Sequence, residues 1–562
     1  RVLCYTRQIA VAAKIMPQRS GWSSLPLKNR SVFTKSLRAQ IFCGLLIAAF
    51  TLGLTACGPY YYKFPVYTFA NRPVPPSKLA HRVMVGVTAN GGGSGSLQIL
   101  DSLRDLRNNV ENTRSSFSIS GYSSGYPNLI LSFPSEITGY VYSNTLGDVQ
   151  IINYGTESVT GSAGTFPAKS TSIAVPPTFG HVYSAEEGAG LLGIIDRTTG
   201  GTYGLNLPNV FQVVVNQGDS VVLAMTRNSN SVYRVIKLNA NQYATSTAAI
   251  AAIGAVDCQP FNLPIYCVIP VNTGSTSAFD RPVGAYFSLD GNTVYVMNCG
   301  AECGGTTSSI TYLSPGALQV NSYTNTNVPA QQNPNSFLSN VPVPGGATVT
   351  VSDGTTLYVA GQQRQPDGLF AGNLSTISLA SNTVTSTTSI SDGTHTKILF
   401  ADDNTLWIGS QLCATGERAA RAAAQLAAGQ ATDQTANYNC LTRVTLPSGS
   451  TAISASVVPA VTQVPPQSTS TAVVVPYPNT NQNQFYYGDL TGLCWVQGLH
   501  KVYTAYGGQV HAFYTGGTIT TQYDPAIGTT PAAGTEIDNS NITVQGTALD
   551  VAFLDAVTDA AN

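Results

Sequence analysis

Short apolar runs, cut by Gly, Pro, Asn and Asp, recur from about residue 80 to the end of the chain, and they are rich in Val, Ile and Tyr. Runs of this length between turn formers predict strands. The clearest unit is 288–298, Ser-Leu-Asp-Gly-Asn-Thr-Val-Tyr-Val-Met-Asn, where an Asp-Gly turn leads directly into an apolar strand. Weaker copies lie at 81–85, 139–144, 181–184, 220–224, 353–359, 403–408 and 500–504. A further apolar run follows each of the eight, at 97–101, 149–153, 191–196, 232–238, 310–313, 374–379, 441–446 and 510–514. A base spacing of about 40 residues is that of a four-stranded propeller blade. One such blade cannot bury both faces, so the copies must stack around an axis. The pattern predicts an all-β fold, a β-propeller of about eight four-stranded blades, or seven if one weak copy fails. The segment 543–555 resembles a first strand with no blade behind it, and is expected to close the ring by pairing with the first blade.

Composition narrows the class. With 43% hydrophobic and 10% charged residues over 562, the chain is neither disordered nor a polytopic membrane protein. The net charge of -1 hides an asymmetry, since eight basic residues and no acidic one precede Cys57. Without those eight, 19 of the 27 Lys and Arg remain against 28 Asp and Glu. No basic face is left for phosphates, so nucleic acid is not an expected partner.

The first 56 residues read as a leader. A basic, polar stretch before Gln40 gives way to an apolar run over 41–56 that ends Leu54-Thr55-Ala56-Cys57-Gly58. This is the n-region and h-region pattern of a secretory signal. The ending resembles the lipobox of bacterial lipoproteins, and that resemblance implies acylation of Cys57 and a membrane-tethered body. An uncleaved anchor is disfavoured because the run is shorter than the ~20 residues of a bilayer span. The residues before Met16 serve no evident structural purpose and are read as upstream of the translation start. After Cys57, a Tyr- and Pro-rich stretch over 57–79 reads as an extended stalk. The propeller is expected over 80–562, with insertions at about 249–280, 321–345, 413–440 and 459–485.

The motif Ser288-x-Asp290-Gly291-x-x-x-Tyr295-Val296-x-Asn298 resembles the YVTN repeat of bacterial surface and periplasmic β-propellers, a group akin to lactonase-like propellers. The resemblance covers roughly residue 80 to the end, with one good copy and the rest partial. It implies architecture and leaves activity open, because fold does not fix function.

Three cysteine pairs are local: Cys258 with Cys267, Cys299 with Cys303, and Cys413 with Cys440. Outside the cytoplasm such pairs are expected as disulfides. A zinc site is the rival, but the 5 His do not cluster as ligands would. Cys494 is left over and is expected to be an inert buried thiol. The Ala-rich run 416–428 is the one helix expected, lying on the surface as a recognition element or a tolerated insertion.

No catalytic, metal or cofactor residue stands out. His81, His181 and His500 share one place, the turn before a blade's second strand, and are expected to be separated around the ring. His395 and His511 have no carboxylate beside them in sequence to orient a general base. The stripe Met84, Tyr142, Tyr183, Tyr295, Tyr358, Trp407 and Tyr503 fits inter-blade core better than a sugar platform. The function expected is that of an extracytoplasmic, membrane-anchored monomer in the bacterial envelope, at the outer membrane or periplasmic face. Its propeller is read as a binding or scaffold module for an envelope protein or a glycan. The alternative is a lactonase-like or other hydrolase with its site in the axial pocket.

Overall fold

The computed structural model describes residues 75–554, apart from 106–117, 239–245, 324–332, 365–369, 412–426, 430–439, 447–452, 459–488, 517–532, 538–543 and breaks of four residues or fewer. The expected leader, Cys57, the expected stalk up to residue 74, Cys413 and most of the expected 416–428 helix lie outside the described residues.

Eight antiparallel sheets succeed one another along the chain. Their second strands are Arg82–Thr88, Thr138–Ser143, His181–Glu186, Val222–Thr226, Val294–Asn298, Thr356–Arg364, Thr405–Gln411 and Lys501–Tyr506. All eight copies read from the sequence fall on these strands, and all eight following runs form third strands. The chain is therefore an eight-bladed β-propeller. Six sheets have at least four strands; blades 1 and 8 have three, each extended by an isolated bridge, Gln98 to Ser118 and Phe513 to Glu536.

The ring closes as the pattern anticipates. Thr547–Phe553 pairs antiparallel with Arg82–Thr88, setting Val83 opposite Phe553, Met84 opposite Ala552 and Val85 opposite Val551. The seam between blades 8 and 1 is then filled by Val83, Val85, Val551 and Phe553 against Tyr503, Ala505 and Val510. The aromatic stripe is core, with all seven side chains from Met84 to Tyr503 buried.

First strands meet first strands of neighbouring blades, so they surround the axis with one ladder edge unpaired. Neighbouring side chains satisfy part of that edge, as buried backbone groups require. Asp550 Oδ2 accepts from Ile130 N at 2.8 Å, and Ser172 Oγ donates to Val213 O at 3.2 Å. In each meander, the first-to-second and third-to-fourth connections share one face, here the turn face. The second-to-third links and the blade-to-blade connections share the other, the crossover face.

The opening Asp-Gly motif is a turn: Gly291 has φ 71°, and Asp290 Oδ1 accepts from Ser288 Oγ at 2.6 Å and Asn292 N at 3.1 Å. Two connections differ from expectation. Ile265–Pro270 and Phe337–Pro342 are the fourth strands of blades 4 and 5, although both lie in stretches read as insertions. Helix Ser246–Ile253 was not anticipated, the 416–428 run having been the one helix expected. It buries Ala249 and Ile253, one turn apart on one face, and ends at Gly254, φ 67°, with Ala255 N donating to Ile250 O. That is a Schellman stop, whose Ala-Ile composition had passed for loop.

Candidate functional site

Three places carry chemistry: the axis, the seams on the turn face, and a cleft on the crossover face. At the axis, Asp550 is buried on the first strand of blade 1, and burial pushes its carboxyl pKa up against the opposing charge of Lys397 on the first strand of blade 7. Both carboxylate oxygens are engaged by backbone, with Ile130 N on Oδ2 and Val551 N on Oδ1. His395, also on the first strand of blade 7, is buried with Nε2 2.8 Å from Ser391 O.

The turn face is stitched by charge. His181 Nδ1 lies 2.5 Å from Asp219 Oδ2 in blade 4, and Tyr183 donates to Asp219 Oδ1 at 2.9 Å. The other ring nitrogen of His181 is 3.0 Å from the Tyr266 hydroxyl, which donates to Asp196 at 2.6 Å. Arg82 in blade 1 pairs with Glu157 in blade 2 at 2.8 Å. Lys501 in blade 8 pairs with Asp105 of blade 1 at 2.6 Å, and Tyr503 donates to the same carboxylate. His500 Nδ1 lies 2.9 Å from Asp403 in blade 7. The four receiving carboxylates share one backbone state. Asp105, Glu157, Asp219 and Asp403 have φ of 57°, 51°, 54° and 65°. Left-handed turn positions favour Asp among non-glycine residues, so each of the three Asp is both turn former and clamp.

His181 and His500 therefore stand apart, on separate seams, as their equivalent places in the repeat require. They are also more than turn residues, because each ties one blade to another. His511 has an acidic partner after all, Glu536, at 2.7 Å from Nδ1 and 25 positions away in sequence. That separation is why inspection of neighbouring residues missed it.

The cleft opens between blades 4 and 5 on the crossover face, with a volume of about 230 Å³. Phe211, Pro282 and Val283 form its apolar wall, and Thr226, Arg227, Asn228, Arg281 and Cys303 complete it. Both arginines are held by the same edge. Arg227 places its guanidinium 4.3 Å above the Phe211 ring and presents Nε and Nη2 to the two carboxylate oxygens of Glu187. The hydrogen bond from Arg227 lowers the Glu187 pKa. Arg281 gives Nε and Nη2 to Gly304 O, at 3.2 and 3.1 Å. Gly304 follows the 3-10 turn Gly300–Cys303, which the Cys299–Cys303 disulfide closes. The sequence signal for this site was slight: two arginines 54 positions apart, each beside a strand end.

Cys258–Cys267 also forms a disulfide, across directly opposed residues of a hairpin. Cys440 is buried and disulfide-bonded, while its expected partner Cys413 lies outside the described residues. Cys494 is a free, buried thiol whose pKa burial pushes up. Among the described residues, no group of three His, Cys, Asp or Glu is placed to hold a metal ion, and no helix is long and apolar enough to cross a membrane.

No protein-family model matches the chain, and no curated protein matches it. Solved structures with the same kind of architecture are similar at low identity. A 6-phosphogluconolactonase-like protein of Bacteroides fragilis is 11% identical, over 67% of this chain and 94% of that one, at TM-score 0.35. A periplasmic gluconolactonase of Pseudomonas aeruginosa is 12% identical, over 66% and 94%, at 0.33. A β-propeller domain from Myceliophteria thermophila is 8% identical, over 68% and 95%, at 0.38. At this distance the likenesses carry no argument about activity, and the eight-bladed fold rests on the strand pairing itself.

Proposed function

We propose that the chain is an extracytoplasmic binding or scaffold propeller, tethered to a membrane of the bacterial envelope through Cys57. The lipobox-like ending of the leader and the YVTN-like repeat support the tether and the envelope address. The two disulfides support a non-cytoplasmic compartment. One observation carries the binding reading. The acidic and histidine side chains named on the turn face join blades, whereas the crossover face opens a cleft whose two guanidinium groups are already fixed in place. Fixed donors beside an apolar wall are what a recognition site needs, since little order remains to be imposed on binding.

The test is retention. The immobilised chain is exposed to glycans, peptidoglycan fragments and envelope proteins; specific retention of one class supports the reading, and retention of none overturns it. The alternative is a lactonase-like hydrolase acting at the axis, where Asp550 and Lys397 would be its acid–base pair. Turnover of a lactone panel that is lost in Lys397→Met would establish that alternative. The engagement of both Asp550 oxygens by backbone favours binding over hydrolysis.

A further inference from the structure

We propose that the cleft between blades 4 and 5 takes the C-terminal carboxylate of a partner polypeptide, with Glu187 of blade 3 fixing Arg227 from outside the cleft. The inference rests on the binding reading above and assigns its ligand class.

Charge comes first. Two guanidinium groups line a space of about 230 Å³, and each spends Nε and Nη2 on an internal acceptor. That leaves each Nη1 without a hydrogen-bond partner among the described residues. A fixed guanidinium with donors to spare selects planar oxyanions. Glu187 shows which kind: its carboxylate meets Arg227 oxygen for nitrogen, a side-on fork that a second carboxylate can reproduce.

Shape comes next. The volume is below that of pockets enclosing drug-sized molecules and suits a single residue at the end of a chain. A C-terminal residue brings a carboxylate, a backbone amide and one side chain. The cleft offers Arg281 and Arg227 for the first, the Asn228 and Thr226 side chains for the second, and Phe211, Pro282 and Val283 for the third.

Neither arginine has to be reorganised. Arg227 keeps its fork on Glu187 and its place over the Phe211 ring while its remaining nitrogen takes the ligand. Arg281 does not need to move, because the disulfide-closed turn fixes Gly304 O.

The experiment titrates the full chain with a fluorescent tetrapeptide ending in Leu, as the free acid and as the C-terminal amide, with inorganic phosphate as competitor. The free acid is expected to bind about tenfold or more tighter than the amide, the effect of one charge-assisted hydrogen bond. Arg281→Gln is expected to weaken binding about tenfold. The comparison of acid with amide is made on the unaltered chain and does not depend on any variant folding. Equal binding of acid and amide, binding of neither, displacement by phosphate more readily than by the acid, or undiminished binding in Arg281→Gln would each overturn the assignment. If an envelope protein is retained in the broader screen and retention survives Arg281→Gln, the cleft assignment fails while the binding reading stands. If the tetrapeptide binds as expected while the screen retains nothing, the cleft assignment stands and the partner lies outside the envelope classes screened.

Discussion

Asp219 Oδ2 sits 2.5 Å from His181 Nδ1 across the seam between blades 3 and 4, and Asp219 reaches it from a left-handed turn position. The geometry couples two roles that substitutions can separate. Asp219→Asn keeps the turn preference and removes the charge, and should destabilise the propeller by about 1–2 kcal/mol in denaturant unfolding. A double-mutant cycle with His181→Ala should give a coupling energy of about 1–3 kcal/mol. A coupling near zero would make the contact incidental.

The Arg82–Glu157 pair is more deeply buried, with side chains 3% and 5% exposed. Removing one member strands the other charge away from water. Glu157→Ala should therefore cost about 3–5 kcal/mol, and Arg82→Met combined with Glu157→Met markedly less than the sum of the two single losses. Equilibrium unfolding of the three variants tests this.

Acid should weaken the fold through His395. Burial drives its imidazole pKa down to about 4, outweighing hydrogen bonds to the Ser391 and Gly361 backbone. An imidazole in the unfolded chain titrates near ~6.5. The folded value is the lower one, so the stability associated with the neutral ring is complete above that pH and declines as pH falls toward about 4. The loss over this window is about 3 kcal/mol. Unfolding midpoints between pH 7 and pH 4 should fall less steeply in His395→Gln than in the parent.

Asp550 is a structural carboxylate on the binding reading. Replacing it with Ala leaves the Ile130 amide on the inner edge of blade 2 without its acceptor, at a cost of about 1–3 kcal/mol. Amide exchange at Ile130 should quicken locally. An unchanged exchange rate would show that the inner edge needs no such cover.

Much of this was legible from residues alone because repetition is a local signal. Val294, Tyr295 and Val296 alternate as a strand must, and the degraded copies at Val141, Val182 and Val502 keep enough of the pattern to align. The seams were not legible. Lys501 and Asp105 are 396 positions apart, and His181 and Asp219 are 38 apart, so only the closed ring brings them together. One signal was present and unread: at these turns the left-handed position holds Asp or Glu where Gly or Asn would be less strained or equally suited. A carboxylate retained there points outward to a partner. The cleft escaped for a related reason, since Arg227 and Arg281 belong to different blades and converge only when blade 5 packs on blade 4. Helix Ser246–Ile253 escaped because its buried face is Ala249 and Ile253, too small a stripe to stand out among short apolar runs.

The pairing of Val83 with Phe553 also governs when this molecule can exist. The strand that completes blade 1 follows all seven other blades in sequence, so blade 1 waits, with the backbone edge of Arg82–Thr88 open, until they have been made. Contacts of such sequence separation form slowly, and an open edge in the interval invites pairing with other chains. The propeller cannot lock shut until Thr547–Phe553 has followed the other seven blades, and only then is that edge covered.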